Sequence, residues 1–229
     1  HGARIGDKMC GSIGAASAFS FFFSHHLSTV EGGMINTDSL AIADAARSVR
    51  AHGWIRERSD AELLRSAHPE IDPRFLFVSA GYNLRPTEVT GAMGIHQVPR
   101  LDEFVRIRRA NHGRWCEAIR SLGLPIRVFP ELPGTTHAAF AFPMLIDSDS
   151  PNDRATVCAK LESLGISTRP ISGSNLARQP AFEHLDCAVV EGETPVADAV
   201  HERGFFVGQS HAFDDAHMDR LMEGLKTAF

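Results

Sequence analysis

Two adjacent imidazoles, His25 and His26, close the aromatic run of SFFFSHHLSTVEGGM (Ser20–Met34), just before a Glu-Gly-Gly turn. Three chemistries could use such a pair. A metal ion fits it poorly, because neighbouring side chains on an extended or turning backbone diverge. Metal pairs favour i, i+2 on a strand or i, i+4 on a helix, with further ligands. Nucleophilic catalysis needs a partnered Ser or Cys, and neither Ser24 nor Cys10 lies in a recognisable nucleophile motif. That leaves one histidine moving a proton near neutral pH, beside the plainer reading of two rings hydrogen-bonded at a strand end.

The elements that must position this pair are legible in outline. Gly14–Phe23, rich in small and aromatic residues without alternation, predicts a strand buried on both faces. Glu31–Gly33 predicts a tight turn and Met34–Asn36 a short returning strand. Asp38 is placed to cap a helix running to Arg50, with Leu40, Ile42, Ala45, Ala46 and Val49 as its apolar residues and Gly53 ending it. Arg56–Arg74 reads as a polar, irregular surface excursion. Pro86 suits the first turn of a helix over Thr87–Gln97. Pro99 separates that helix from another over Leu101–Leu122, closed by Gly123. The arginines Arg100, Arg106, Arg108, Arg109, Arg114 and Arg120 read as its solvated face.

Beyond Pro125 strands alternate with helices, which predicts a small α/β unit. Strands are expected at Ile126–Phe129, Ala138–Ile146, Ile166–Ile171 and Gly204–Gly208, and helices at Asp153–Leu164, Thr194–Glu202 and Asp214–Ala228. A boundary near residue 115 gives two domains, 1–115 and 116–229.

Bulk properties narrow the function classes. A length of 229 residues with 43% hydrophobic and 22% charged residues is that of a globular chain with room for a sizeable core. A net charge of −5 argues against a nucleic-acid partner. Cys10, Cys116, Cys158 and Cys187 lie far apart with no CxxC pair, the pattern of thiols in a reducing, cytoplasmic setting. No apolar run reaches the roughly 20 residues of a membrane span, and Ala15–Phe23 lacks the basic leader of a signal peptide.

Several blocks carry a family resemblance. The pattern Ser20-Phe21-x-x-x-His25-x-Leu27-Ser28-Thr29-x-Glu31-Gly32-Gly33 resembles the signature of the DegT/DnrJ/StrS sugar aminotransferases. GYNLRPTEVTGAMGIHQ (Gly81–Gln97) is similar to the family's GYNxR block. TRPISGSNLARQPAF (Thr168–Phe182) and RGFFVGQSH (Arg203–His211) resemble its small-domain segments. The resemblance implies the α/β fold of a fold-type-I, pyridoxal-phosphate-dependent transferase. This chain would be its C-terminal part: a remnant of the large-domain sheet over 1–115 and the small α/β domain over 116–229.

In that family a lysine bonds the cofactor covalently where this sequence has His25. Imidazole forms no such bond but still transfers protons. The resemblance is to the family's 3-dehydratase branch, which carries SHH or AHH at this place. It implies a pyridoxal or pyridoxamine phosphate (PLP/PMP) enzyme removing the C3 hydroxyl of a nucleotide-linked 4-keto-6-deoxyhexose in deoxysugar and O-antigen synthesis. His25 would be the catalytic base. Ser20 matches the serine that binds the cofactor phosphate. Asn83 matches an asparagine that reaches the phosphate in the partner subunit, which implies a homodimer with shared active sites. Arg85 is similarly placed and is expected at the cofactor, or otherwise as an anchor for Glu88 or a helix end.

His26 and Glu31 are expected to be architectural, and Tyr82 to serve packing. Dispersed cysteines imply no iron–sulfur cluster, and so the cluster-free type that acts on GDP-4-keto-6-deoxymannose and recharges its cofactor with glutamate. A CDP-linked substrate, a perosamine-type 4-aminotransferase that has lost its lysine, and a non-catalytic fragment are the alternatives. The aspartate and phosphate loop that the family places before the segment matching His1 do not lie within these residues. On its own the apolar strand before His25 is expected to expose unpaired edges.

Overall fold

The computed structural model describes residues 1–184 and 193–229. In chain order its strands are β1 (Arg4–Ile5), β2 (Lys8–Met9), β3 (Ser17–Ser20), β4 (Gly33–Asn36), β5 (Ile126–Val128), β6 (Thr135–Thr136), β7 (Ala141–Ile146), β8 (Thr168–Pro170) and β9 (Gly204–Gly208). Its helices are α1 (Leu40–Val49), α2 (Ala61–Ala67), α3 (Glu88–Gln97), α4 (Leu101–Ser121), α5 (Arg154–Ser163), α6 (Pro195–Arg203) and α7 (Asp215–Ala228). Among the described residues no helix is long and apolar enough to cross a membrane. Two compact units result, one of residues 1–103 with 134–136, the other of 104–133 with 137–229. The division falls between Glu103 and Phe104, near the start of α4.

The second unit owns the larger apolar core. Its sheet runs β5-β7-β9-β8, every pair antiparallel. The strand–helix alternation therefore does not produce parallel crossovers. Alternation along β7 turns Phe142, Met144 and Ile146 inward, and the register sets Met144 opposite Phe205 and Phe142 opposite Val207. Trp115 and Ile119 of α4, Val157 and Leu161 of α5, and Leu221 and Leu225 of α7 close over these residues. Each such buried side chain contributes about 1.5–3 kcal/mol. Side chains outside the helices cap both α5 and α7: Asp153 accepts from the Thr156 N–H, and Asp214 from the His217 N–H.

Here one expectation fails. Arg108 is not on a solvated face: it is only 5% exposed and donates to the Gln209 carbonyl. Arg109 and Arg114 do face outward, paired with Glu131 and Asp215. Burial raises the Cys116 thiol to about 11, which keeps it protonated, and Cys158 is raised in the same way. Cys187 lies outside the described residues.

The first unit is organised differently. β3 pairs with β4 alone, antiparallel, with Ser20 opposite Gly33. The strand is shorter than the run Gly14–Phe23 and is not buried on both faces; Phe21–Phe23 leave it as loop, and all of β4 is exposed. Thus the exposed edges expected of this segment are present. Helix α1 is capped by Ser39, not Asp38, through the Ile42 N–H. It buries Asp44 and Ser48 fully, while of the apolar residues read from the sequence Ile42, Ala46 and Val49 are half-buried and Leu40 and Ala45 are exposed.

The physical reason is a polar lock. The Asp44 carboxylate accepts from the Ser59 N–H and hydroxyl and from Arg47, and these donors hold its pKa below the ordinary carboxylate value. That lock folds back the stretch expected to be irregular. Arg56–Arg74 contains α2, and a small core of Ile55, Ala61 and Leu76 spans it. Pro86 stands outside α3, whose cap is Thr87.

One element of the second unit is sensitive to pH. The His137 ring lies 3.9 Å from the His112 ring, and its Nδ1 accepts from the Ala139 N–H at 3.1 Å. Glu131, held by Arg109, accepts from the His137 N–H. Burial first, and the neighbouring His112 second, lower the His137 pKa. The folded state therefore prefers neutral His137. Its contribution is complete above the ordinary value of 6.5 and is lost as pH falls through that value towards the lower folded one. His137→Asn keeps an acceptor for Ala139 but cannot titrate. Urea midpoints between about pH 7 and 5 should fall less steeply in this variant than in the parent, and equal slopes would show that His137 is not the group responsible.

Candidate active site

The irregular loop between β3 and β4 carries the histidine pair, and main-chain bonds close it. The Phe21 N–H donates to the Gly32 carbonyl and the Thr29 N–H to the Phe21 carbonyl, both at 2.9 Å. Thr29 is buried, and its hydroxyl donates to the Glu31 carbonyl at 2.7 Å, so Glu31 and Gly32 are turn architecture as expected. Gly32 has φ +151, and a methyl built on it would stand 2.6 Å from Thr29 Oγ1. Only glycine turns the chain there.

Within the loop the His25 N–H donates to the Phe22 carbonyl at 3.0 Å, a tight turn that points the two imidazoles to different neighbours. The His25 ring sits edge-on to Phe22 with centroids 5.9 Å apart. The His26 ring meets His1 edge-on at 6.1 Å, and His1 itself stacks on Phe21. Both histidines are half-buried. The divergence read from adjacency holds, and among the described residues no group of acidic, histidine and cysteine side chains could hold a metal ion.

Ser20 ends β3. Its hydroxyl oxygen accepts from the Phe22 N–H at 3.3 Å, which leaves its proton to donate to an anionic ligand. Asn83 and Arg85 come from the Gly81–Arg85 stretch, which is zipped onto the end of α1. The Tyr82 N–H donates to the Val49 carbonyl at 2.7 Å, the His52 N–H to the Tyr82 carbonyl, and the Leu84 N–H to the Arg50 carbonyl. Asn83 pairs with Ala51 in a single antiparallel bridge. The backbones come so close that a methyl on Gly81 would stand 2.3 Å from the Gly53 nitrogen.

This zipper fixes the main chain of Asn83 and leaves its exposed side chain available. Arg85, also exposed, lines a cavity of about 50 Å³ with Arg47, Trp54, Arg56 and Glu57. Arg56 lies over the Trp54 ring at 3.8 Å, and Glu57 is held by Arg50. Among the described residues no hydrogen bond or ion pair joins Arg85 to Glu88. A carboxamide, a guanidinium and a hydroxyl with unspent donors fit a phosphate group. Among the described residues no hydrogen bond joins Ser20 to Asn83 or Arg85. Tyr82 is 67% exposed and packs against little; its backbone, not its ring, makes the contacts.

A family model, that of the DegT/DnrJ/EryC1/StrS aminotransferases, matches residues 1–226. The chain belongs to this family. A GDP-4-keto-6-deoxy-D-mannose 3-dehydratase of Yersinia pseudotuberculosis is 34% identical over 232 residues, covering 100% of this chain and 56% of that protein. A crystal structure of a GDP-4-keto-6-deoxymannose-3-dehydratase with a trapped PLP–glutamate geminal diamine superposes with a TM-score of 0.84 at 31% identity, over 98% of this chain and 58% of the other. A mutant of such a dehydratase with bound GDP-perosamine gives a TM-score of 0.87 at 31% identity, with the same coverage. The fold is thus that of the fold-type-I, PLP-dependent transferases, as the sequence motifs implied. The chain spans about half the length of the curated relatives it matches.

The sequence reading did not single out Gln97, whose carboxamide pairs with the Ser28 main chain, nor the stack of His1 on Phe21. A glutamine ending a helix just before a proline is the only signal the chain carries for the first. The zipper makes a direct prediction. Gly81→Ala should cost roughly 1–3 kcal/mol through backbone displacement. Gly91→Ala, in open space on α3, should cost nothing or stabilise slightly. Urea denaturation of both variants checks this, and equal stabilities would refute the tight approach.

Proposed function

We propose that this chain carries the proton-transfer residue and part of the phosphate-binding apparatus of a PLP/PMP-dependent 3-dehydratase. Its substrate class is a nucleotide-linked 4-keto-6-deoxyhexose, with the GDP-linked 6-deoxymannose derivative favoured. The observation that carries this reading is His25 in the family motif, on a loop closed by main-chain bonds, where aminotransferases of the family keep a lysine. The relatives above are named for this reaction and match at 31–34% identity.

When bound, the cofactor supplies the electron sink for breaking a carbon–oxygen bond. The protein supplies the rest. Ser20 offers a hydroxyl proton to the cofactor phosphate, and Asn83 and Arg85 offer amide and guanidinium donors to an anionic group. The His25 imidazole takes a proton from carbon and hands one to the departing C3 hydroxyl, which leaves as water. The His25 ring stands edge-on to the Phe22 ring, which supports its orientation.

The match of Asn83 to the family asparagine that reaches the partner subunit's cofactor phosphate supports a two-fold homodimer with shared sites. Tyr82, Leu84, Val89 and Ile95, all strongly exposed apolar side chains following or flanking Asn83, supply a surface for that association. Glutamate as amino donor is supported by the PLP–glutamate adduct in the dehydratase structure. Residues 1–115 then serve as part of a cofactor-binding large domain and 116–229 as a small C-terminal domain.

His25→Lys tests the reading. With cofactor and the GDP-linked 4-keto sugar, the parent should release a 3-deoxy product; the lysine variant should release none and should show the absorbance of covalently bound PLP. Dehydration that survives the change at the parent rate would remove His25 from the mechanism. A 4-amino sugar from the parent would make it an aminotransferase.

A further inference from the structure

Gln97 ends α3 with its side chain turned to the histidine loop. Its Oε1 accepts from the Ser28 N–H at 2.9 Å, and its Nε2 donates to the Ser28 carbonyl at 2.5 Å. A primary amide carries an acceptor and a donor side by side. It therefore pairs with the N–H and C=O of one residue as an opposing strand residue would. Three positions earlier on the same helix face, Gly94 lies against Thr29, where an added methyl would stand 3.5 Å from Cγ2. The loop thus rests on α3 through the pairing at Ser28, and Thr29 passes beside Gly94 at a distance an added methyl would bridge. Ser28 and Thr29 both lie within four residues of His25.

We propose that Gln97 is a positioning residue for His25, clamping the far limb of the loop to α3 so that the imidazole is presented from a fixed backbone. The near limb is already held by β3 and its pairing with β4. The loop between is closed by the bonds at Phe21 and turned by the His25 N–H bond to Phe22, and the clamp at Ser28 fixes its far limb. The proposal rests on the assignment of His25 as the proton-transfer group. It also explains the residue type. A carboxylate accepts but cannot donate, and an aliphatic side chain does neither.

Two variants of the full chain test it. In Gln97→Leu, amide hydrogen exchange measured by NMR should be about tenfold faster at Ser28 and His25, with the amides of α1 and of β7 unchanged. The His25 ring resonances should shift and broaden. With cofactor and the nucleotide-linked keto sugar, kcat should fall roughly tenfold while KM stays within about twofold, because geometry at the reacting group is lost and binding is not.

Gln97→Glu adds a pH-switchable readout of the clamp itself. Below about pH 4 its carboxyl is protonated and again offers both a donor and an acceptor. Ser28 protection, corrected for intrinsic exchange, should be lost near neutral pH and regained in acid. This variant carries the test if Gln97→Leu does not fold. Unchanged Ser28 exchange in the variants overturns the clamp. Lost protection with unchanged His25 resonances and unchanged kcat overturns the positioning role. A parent that shows the protected Ser28 amide and the expected ring shifts on mutation, yet yields a 4-amino sugar and no 3-deoxy product, refutes the dehydratase reading and upholds the clamp.

Discussion

Closure of one irregular loop governs the chemistry available to this chain. Phe21 spends both of its main-chain groups on it, the N–H on Gly32 and the carbonyl on Thr29. A loop whose backbone polar groups went unpaired would lose free energy for each buried one, and its side chains would sample many directions. Here the buried Thr29 fills the neck and bonds back to Glu31, while Gly32 takes a φ that side-chain-bearing residues avoid. His25 inherits its position from those constraints. A proton-transfer group needs its reacting partner at hydrogen-bond distance, so a histidine on an unclosed loop would be an imidazole without a task.

The two units are stabilised in different ways. In the second, alternating residues of β7 and β9 meet three helices over a continuous apolar interior, the ordinary means of holding a sheet and its helices together. In the first, a small apolar core of Ile55, Ala61 and Leu76 is supplemented by polar locks, Asp44 with Ser59 and Ser28 with the end of α3, and by the close backbone approach of Gly81 to Gly53. Most of its larger apolar side chains, Phe23, Tyr82, Leu84 and Val89 among them, face outward. Polar locks of this kind give geometry more than net stability, since each hydrogen bond replaces one with water and returns only about 1 kcal/mol. Such a unit is suited to placing groups at a site completed by other surfaces.

The chain's own pattern determined a great deal. The strand over β7, the helices that begin at Asp153 and Asp214, the proline break between α3 and α4, and the spacing from Ser20 through His25 to Gly33 are all local signals. Local signals survive into the fold because propensity, capping and turn chemistry depend on near neighbours. The family resemblance, carried by the spacing of these motifs, matched His25 to the place where a lysine is kept elsewhere and matched Ser20, Asn83 and Arg85 to expected cofactor-binding positions. What only the tertiary structure decided are the contacts between residues far apart in the chain. No periodicity announces that α1 buries Asp44 rather than Leu40, because Ser59, the donor that makes this tolerable, arrives from fifteen residues on. Arg108 could be withdrawn from solvent only because a carbonyl at Gln209 meets it. The pairing of Gln97 with Ser28 spans 69 residues. Long-range polar pairs leave no periodic trace, since either partner is an ordinary surface residue until the fold brings the other within reach.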